Sequence, residues 1–113
     1  KRQVISRAYY AMYHAVRALH LSIRGYDLDE HRKLAQSVTT DLAGHLKPKI
    51  AKKLHQVLER ARHARNEADY SPYYPVPLGR DAGAILADAE WTVNRCRMLV
   101  EESWRRSGVP RAN

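Results

Sequence analysis

Val4-Ile5-Ser6-Arg7-Ala8-Tyr9-Tyr10-Ala11-Met12-Tyr13-His14-Ala15-Val16-Arg17-Ala18-Leu19-His20-Leu21-Ser22-Ile23-Arg24 is the stretch that decides the fold. Val4, Ala8, Ala11, Met12, Ala15, Leu19 and Ile23 recur by threes and fours, the spacing that gathers side chains on one face of an α-helix. Gly25 follows where a helix-ending residue in the left-handed region would sit. The stretch predicts one long helix up to about Arg24. It enters this pattern at Lys1, with no Met and no capping residue, so the natural chain is expected to extend further upstream.

Three more helices follow from the same spacing. Asp27 and Glu30 have a capping-box-like separation, which predicts that a second helix begins there, with Leu34, Val38 and Leu42 buried, Ala35 beside them and Gly44 as its stop. Pro48 suits a first helical turn, where its missing N–H costs nothing, and opens a third helix. Ile50, Leu54, Val57, Leu58, Ala61 and Ala68 share one face of it. Three prolines and a glycine between Ser71 and Gly79 predict a loop. A fourth helix is expected from about Asp81 to Arg105, burying Ala82, Ile85, Leu86, Ala89, Val93, Cys96, Leu99 and Val100. No stretch alternates apolar and polar residues for long, which argues against strands. The expectation is an all-α antiparallel bundle of four helices, or up to five, forming one domain over residues 1–106, with residues 107–113 a flexible tail.

Composition narrows the setting. The 113 residues carry 20 Lys and Arg against 12 Asp and Glu, a formal charge of +8 that favours anionic partners. Five of the bases and no acid lie in residues 1–24; seven bases and three acids lie in residues 47–70. Positive charge therefore concentrates on the first and third helices, where it could track a phosphate backbone. The single cysteine, Cys96, excludes an intrachain disulfide and a cysteine-based zinc site. No apolar run is long enough to span a bilayer, and no signal-peptide pattern opens the chain. A cytoplasmic protein that does not engage membrane is expected.

Arg65 is the residue out of place. At 100° per residue it lies within about 60° of Leu54, Leu58, Ala61 and Ala68, so it points with the apolar stripe. A guanidinium there must be paired, reach water along its stem or line a cleft. Asp69, one turn later, is its expected partner, either in a packing pair or in a pocket aimed at a phosphate or a carboxylate. Tyr9, Tyr10 and Tyr13 point in successive directions and cannot all enter one core, so some must face a cleft or an interface. Arg7 and His14 lie on one line of the first helix with Tyr10 between them. There is no HExxH, no Gly-rich phosphate loop and no GxSxG, so metal binding, nucleotide hydrolysis of the P-loop kind and serine hydrolysis are not expected, and no cofactor is implied.

Ser6-Arg7-Ala8-Tyr9-Tyr10-Ala11-Met12-Tyr13-His14-Ala15, together with Arg65-Asn66-Glu67-Ala68-Asp69-Tyr70, resembles the HEPN domain family, and in particular its small stand-alone prokaryotic members. His31, after the Gly25-Tyr26 turn, falls where those proteins often carry a histidine. The resemblance covers about residues 4–105. It implies an all-α bundle, a homodimer or a complex with a minimal nucleotidyltransferase, and action on RNA or nucleotides, often as the ribonuclease toxin of a toxin-antitoxin or defence system. One departure stands out. Active HEPN ribonucleases resemble one another in an arginine followed after four to six residues by a histidine, whereas after Arg65 a gap of four leads to Tyr70, and no histidine follows His63. A phenol of ordinary pKa, about 10, is a poor replacement for imidazole at neutral pH. Arg7 to His14 and Arg24 to His31 match the spacing, but lie outside the family's position and are read as coincidences.

The leading expectation is a HEPN binding module with a degenerate active site, holding RNA, a nucleotide phosphate or a nucleotidyltransferase partner through Arg65, supported by Asp69 and faced by Arg7, Tyr10 and His14, with His31 as a further binding residue. The first alternative is a metal-independent endoribonuclease in which Arg65 stabilises the phosphate and His14, His31 or Tyr70 moves the proton. The second is a purely structural dimerisation module. A dimer is expected through the tyrosines of the first helix and the Tyr73-Tyr74-Pro75 loop.

Overall fold

The computed structural model describes the backbone of residues 2–70 and 78–107 and the side chains of residues 3–66 and 82–106. It contains four α-helices, α1 (Arg2–Arg24), α2 (His31–Thr39), α3 (Pro48–Tyr70) and α4 (Leu78–Ser107), and a 3-10 turn at Ala43–His45. Among the described residues there is no strand, and no helix is long and apolar enough to cross a membrane.

The α1 helix is the centre of the bundle, packed along α4 on one flank and against α3 and α2 on the other. Its fully buried line is Ile5, Tyr9, Met12, Val16 and Leu19, rotated from the stripe expected at Val4, Ala11 and Ala15. A helix with neighbours on both flanks buries a wider arc, and its largest side chains fill the middle. Ala11 is exposed, and Val4 and Ala15 are half-buried at the edge facing α4. From α3 come Leu54, Val57, Leu58 and Ala61, and from α2 Leu34, Ala35 and Val38, with Leu42 just beyond. At about 1.5–3 kcal/mol for each large aliphatic side chain removed from water, this core is the main stabilising contribution.

The direction of the helices follows from one connection. The chain leaves α1 at Gly25, at φ +80°, with its amide bonded to the Leu21 carbonyl at 2.9 Å. Residues 25–30 then run back along α1. The Tyr26 carbonyl accepts from Nδ1 of the fully buried His20 at 3.2 Å, Asp27 accepts two bonds from Arg17 at 2.7 and 2.6 Å, and Asp29 accepts from the Tyr13 hydroxyl. This return delivers His31 beside Tyr9 and Tyr13 and lets α2 run in the same sense as α1, while α3 runs against its neighbours. Arg60 meets Asp88 and Lys53 meets Trp91 across the antiparallel α3–α4 pair.

Several boundaries differ from the expectation. The α2 helix begins at His31 rather than at Asp27; Glu30 precedes it in extended conformation with no side-chain cap, and Asp27 is drawn off by the two-pronged Arg17 bond. It stops at Thr39 rather than Gly44, where the Thr39 and Thr40 hydroxyls both bond the Gln36 carbonyl in competition with the helix. The α4 helix begins at Leu78, inside the expected loop, and reaches Ser107. Leu86, expected in the core, is 46% exposed because it faces the open groove between α1 and α4. Residues 71–77, with the Tyr73-Tyr74-Pro75 loop, and residues 108–113 of the expected tail lie outside the described residues.

Candidate functional site

Where α1, the first residue of α2 and the last third of α3 meet, aromatic rings and cations converge. Tyr9 and Tyr13, four residues apart, share one line of α1, and Tyr10 stands beside them, half-buried. The imidazole of His31 stacks on Tyr13, with 4.0 Å between ring centroids and 11° between planes, and it meets the edge of Tyr10 at 5.8 Å. Its Nδ1 is hydrogen-bonded to the Tyr9 hydroxyl. From α3 the Arg65 guanidinium lies over both tyrosines, its carbon 5.1 Å from the Tyr10 ring centre and 5.9 Å from that of Tyr9. That is cation–π range, and it places a half-buried, permanently charged donor beside an imidazole.

The electrostatics follow from burial and neighbours. Burial, then Arg65, lowers the His31 pKa from its ordinary value of 6.5; Asp29 opposes the shift, and Arg62 and His14 add to it. The ring is therefore neutral at neutral pH. Burial pushes the Tyr9 phenol up to about 12 against the pull of Arg62 and Arg65. Tyr13 is raised as well, by burial and then by its bond to Asp29. Both phenols keep their hydrogens, so neither supplies a base.

Of the residues expected in the site, Arg65, Tyr10 and His31 come together. His14 stands exposed at the rim, 6.3 Å from the Tyr10 ring and 5.3 Å from that of Tyr13. Arg7 is not brought to Arg65 as expected. Three residues before Tyr10 it is turned away by about 60°, and it lines the α1–α4 groove with Val4, Ala11 and Leu86. The side chains of Asp69 and Tyr70, and with them the expected Arg65–Asp69 pair, lie outside the described residues. Tyr9, Tyr13 and Asp29 are the site residues that sequence reasoning did not single out for a role. Two buried phenols in line need acceptors, and Asp29 and His31 are near enough in sequence to have been considered.

The HEPN domain family model matches residues 2–103 of the chain. The chain belongs to the HEPN domain family. No curated protein and no solved structure matches it. The HEPN assignment agrees with the all-α bundle, and of the two stretches that carried the resemblance, residues 6–15 and 65–70, Tyr9, Tyr10, Tyr13, His14 and Arg65 border the cluster. In this HEPN domain the histidine beside the arginine comes from the start of α2, thirty-four positions before Arg65 rather than a few positions after it.

Proposed function

We propose that this HEPN domain binds RNA or a nucleotide by its phosphate, as part of a toxin-antitoxin or defence system, with Arg65 and His31 as the phosphate ligands and Tyr10 offering a ring for a base. The observation that carries this reading is the Arg65 guanidinium held over Tyr10 next to a neutral His31. A guanidinium recognises phosphate through paired donors, and the accessible part of the half-buried Tyr10 ring adds sequence-tolerant stacking. The test is fluorescence polarisation with a short labelled single-stranded RNA, competed by AMP, on wild type, Arg65→Lys and Arg65→Ala. Loss of a charged hydrogen-bonding group predicts binding weaker by roughly tenfold to a hundredfold in Arg65→Ala. Wild-type affinity in Arg65→Ala would sink the proposal and favour a structural dimerisation module.

The endoribonuclease reading draws on the same Arg65–His31 proximity. Cleavage of RNA by the purified protein, abolished in Arg65→Ala, would establish it.

Two partners belong to this proposal, a second copy of the chain and a minimal nucleotidyltransferase. Of the α1 tyrosines, Tyr9 and Tyr13 are turned into the core, and Tyr10 is half-buried. The surface that fits better is the α1–α4 groove, where Ala11, Ala15, Ala18, Leu86, Val93 and Trp104 line adjoining depressions. Light scattering at micromolar concentration, with Leu86→Glu as the disrupting variant, tests the dimer. Co-purification tests the nucleotidyltransferase.

A further inference from the structure

We propose that Tyr9 fixes His31 as a hydrogen-bond donor: the Tyr9 hydroxyl gives its hydrogen to Nδ1, the imidazole keeps its own hydrogen on Nε2, and that N–H is what the site offers to a phosphate oxygen. This rests on the phosphate-binding reading above and adds to it the role of the histidine and the residue that positions it.

Tyr9 is fully buried, and a buried hydroxyl without an acceptor is costly. Among the described residues, the acceptor at its oxygen is His31 Nδ1. A ring nitrogen that accepts is bare, and a neutral imidazole with bare Nδ1 carries its hydrogen on Nε2. The opposite assignment, Nδ1–H donating to the phenol oxygen, would leave the phenol hydrogen unplaced.

The ring is also held against rotation. It is stacked on Tyr13, lies nearly parallel to Tyr9 at 5.4 Å and 22°, and meets Tyr10 edge-on. The charged and titratable groups around it come from every neighbouring element: Arg62 and Arg65 on α3, His14 and the tyrosines on α1, and Asp29 on the return segment. Burial first, and then cations that outnumber the single carboxylate, keep the imidazole neutral, and the Tyr9 hydroxyl at Nδ1 sets its tautomer.

The consequence separates two chemistries. Abstraction of a 2′-hydroxyl proton needs a bare nitrogen facing the substrate, and the bare nitrogen of His31 is engaged by Tyr9. Phosphate binding needs donors, and Nε2–H with the Arg65 guanidinium supplies them. Tyr9 is thus a positioning residue that sets the site toward holding a phosphate.

The experiment is imidazole 15N NMR on the full chain, first without ligand and then titrated with AMP, for wild type and Tyr9→Phe. In ligand-free wild type above the His31 titration, Nδ1 is expected at the shift of a bare nitrogen and Nε2 at that of a protonated one. The wild-type spectrum needs no variant, so it decides the tautomer even if Tyr9→Phe does not fold. Tyr9→Phe is expected to mix the tautomers, raise the His31 midpoint and weaken AMP by roughly five- to tenfold, the worth of one oriented hydrogen bond. Nδ1–H in wild type would overturn the inference whatever the ligand does, as would an unchanged tautomer and affinity in Tyr9→Phe. A His31 Nε2 signal unmoved by AMP, with binding still lost in Arg65→Ala, would remove His31 and leave the phosphate-binding function standing. Failure of both AMP and RNA to bind wild type would remove that function, with the ligand-free tautomer already read.

Discussion

His31 and Tyr13 lie face to face, 4.0 Å between ring centroids, although one opens α2 and the other sits in the middle of α1. The same tyrosine gives its hydroxyl to Asp29, two residues before His31. Ring and hydroxyl together therefore hold both the return segment and the residue it delivers. Tyr13→Phe keeps the stack and removes the bond, and is expected to cost about 1 kcal/mol in urea unfolding. Tyr13→Leu removes both and is expected to cost more, and to broaden the His31 ring resonances. Equal costs for the two variants would show that the stack contributes nothing.

The neutral state of His31 ties stability to pH. In the unfolded chain the ring takes up a proton around its ordinary 6.5, whereas in the fold burial and Arg65 hold the midpoint lower. Between the two midpoints the unfolded state binds more protons, so stability rises with pH there. The contribution is fully present above the unfolded value of 6.5 and is lost as pH falls through the folded midpoint. Urea unfolding from about pH 7 downward is expected to show a steeper loss in wild type than in His31→Gln. Because the two proteins differ only at position 31, the difference isolates His31, and parallel profiles would contradict the shift.

Much of the fold was legible because its signals are local. Pro48 opens α3, Gly25 ends α1, and Leu34, Val38, Leu42, Leu54 and Leu58 are all buried as their spacing requires. The direction of α2 was not legible. It depends on Asp27 choosing Arg17, ten residues back, over the amides of the helix start, and a one-dimensional spacing rule weighs only the nearer partner. The site was half legible for the same reason. Arg65 betrayed itself as a cation on an apolar stripe and Tyr10 as one phenol too many, but the tight engagement of His31 depends on the return segment. The role of Tyr9 was hidden because a buried phenol and a core aromatic read alike until its acceptor is known.

Gly25 is a conformational requirement rather than a packing one. Its φ of +80° lies where side chains are strained, yet a Cβ there would meet nothing within 4 Å. Gly25→Ala is therefore expected to cost about 1–2 kcal/mol, purely from the backbone. Gly25→Asn should cost less, since Asn tolerates the left-handed region better. Thermal unfolding of the two variants checks the order. Because the return segment starts here, Gly25→Ala is also expected to weaken RNA binding through His31 without touching Arg65.

Cys96 reports on whether α4 stays docked. Its thiol is buried against the α1 side of the core, and burial pushes its pKa up to about 12, so almost no thiolate exists at neutral pH. A thiol-specific reagent is expected to react with the native protein only as fast as α4 opens, and at the rate of a free thiol in denaturant. The ratio of the two rates gives the opening free energy. Cys96→Ala should cost about 1 kcal/mol as a small cavity, whereas Cys96→Ser should cost about 1–3 kcal/mol, since it buries a hydroxyl among apolar neighbours. Rapid labelling of the native protein would mean that α4 leaves α1 far more often than this packing allows, and would remove the α1–α4 groove as a stable dimer surface.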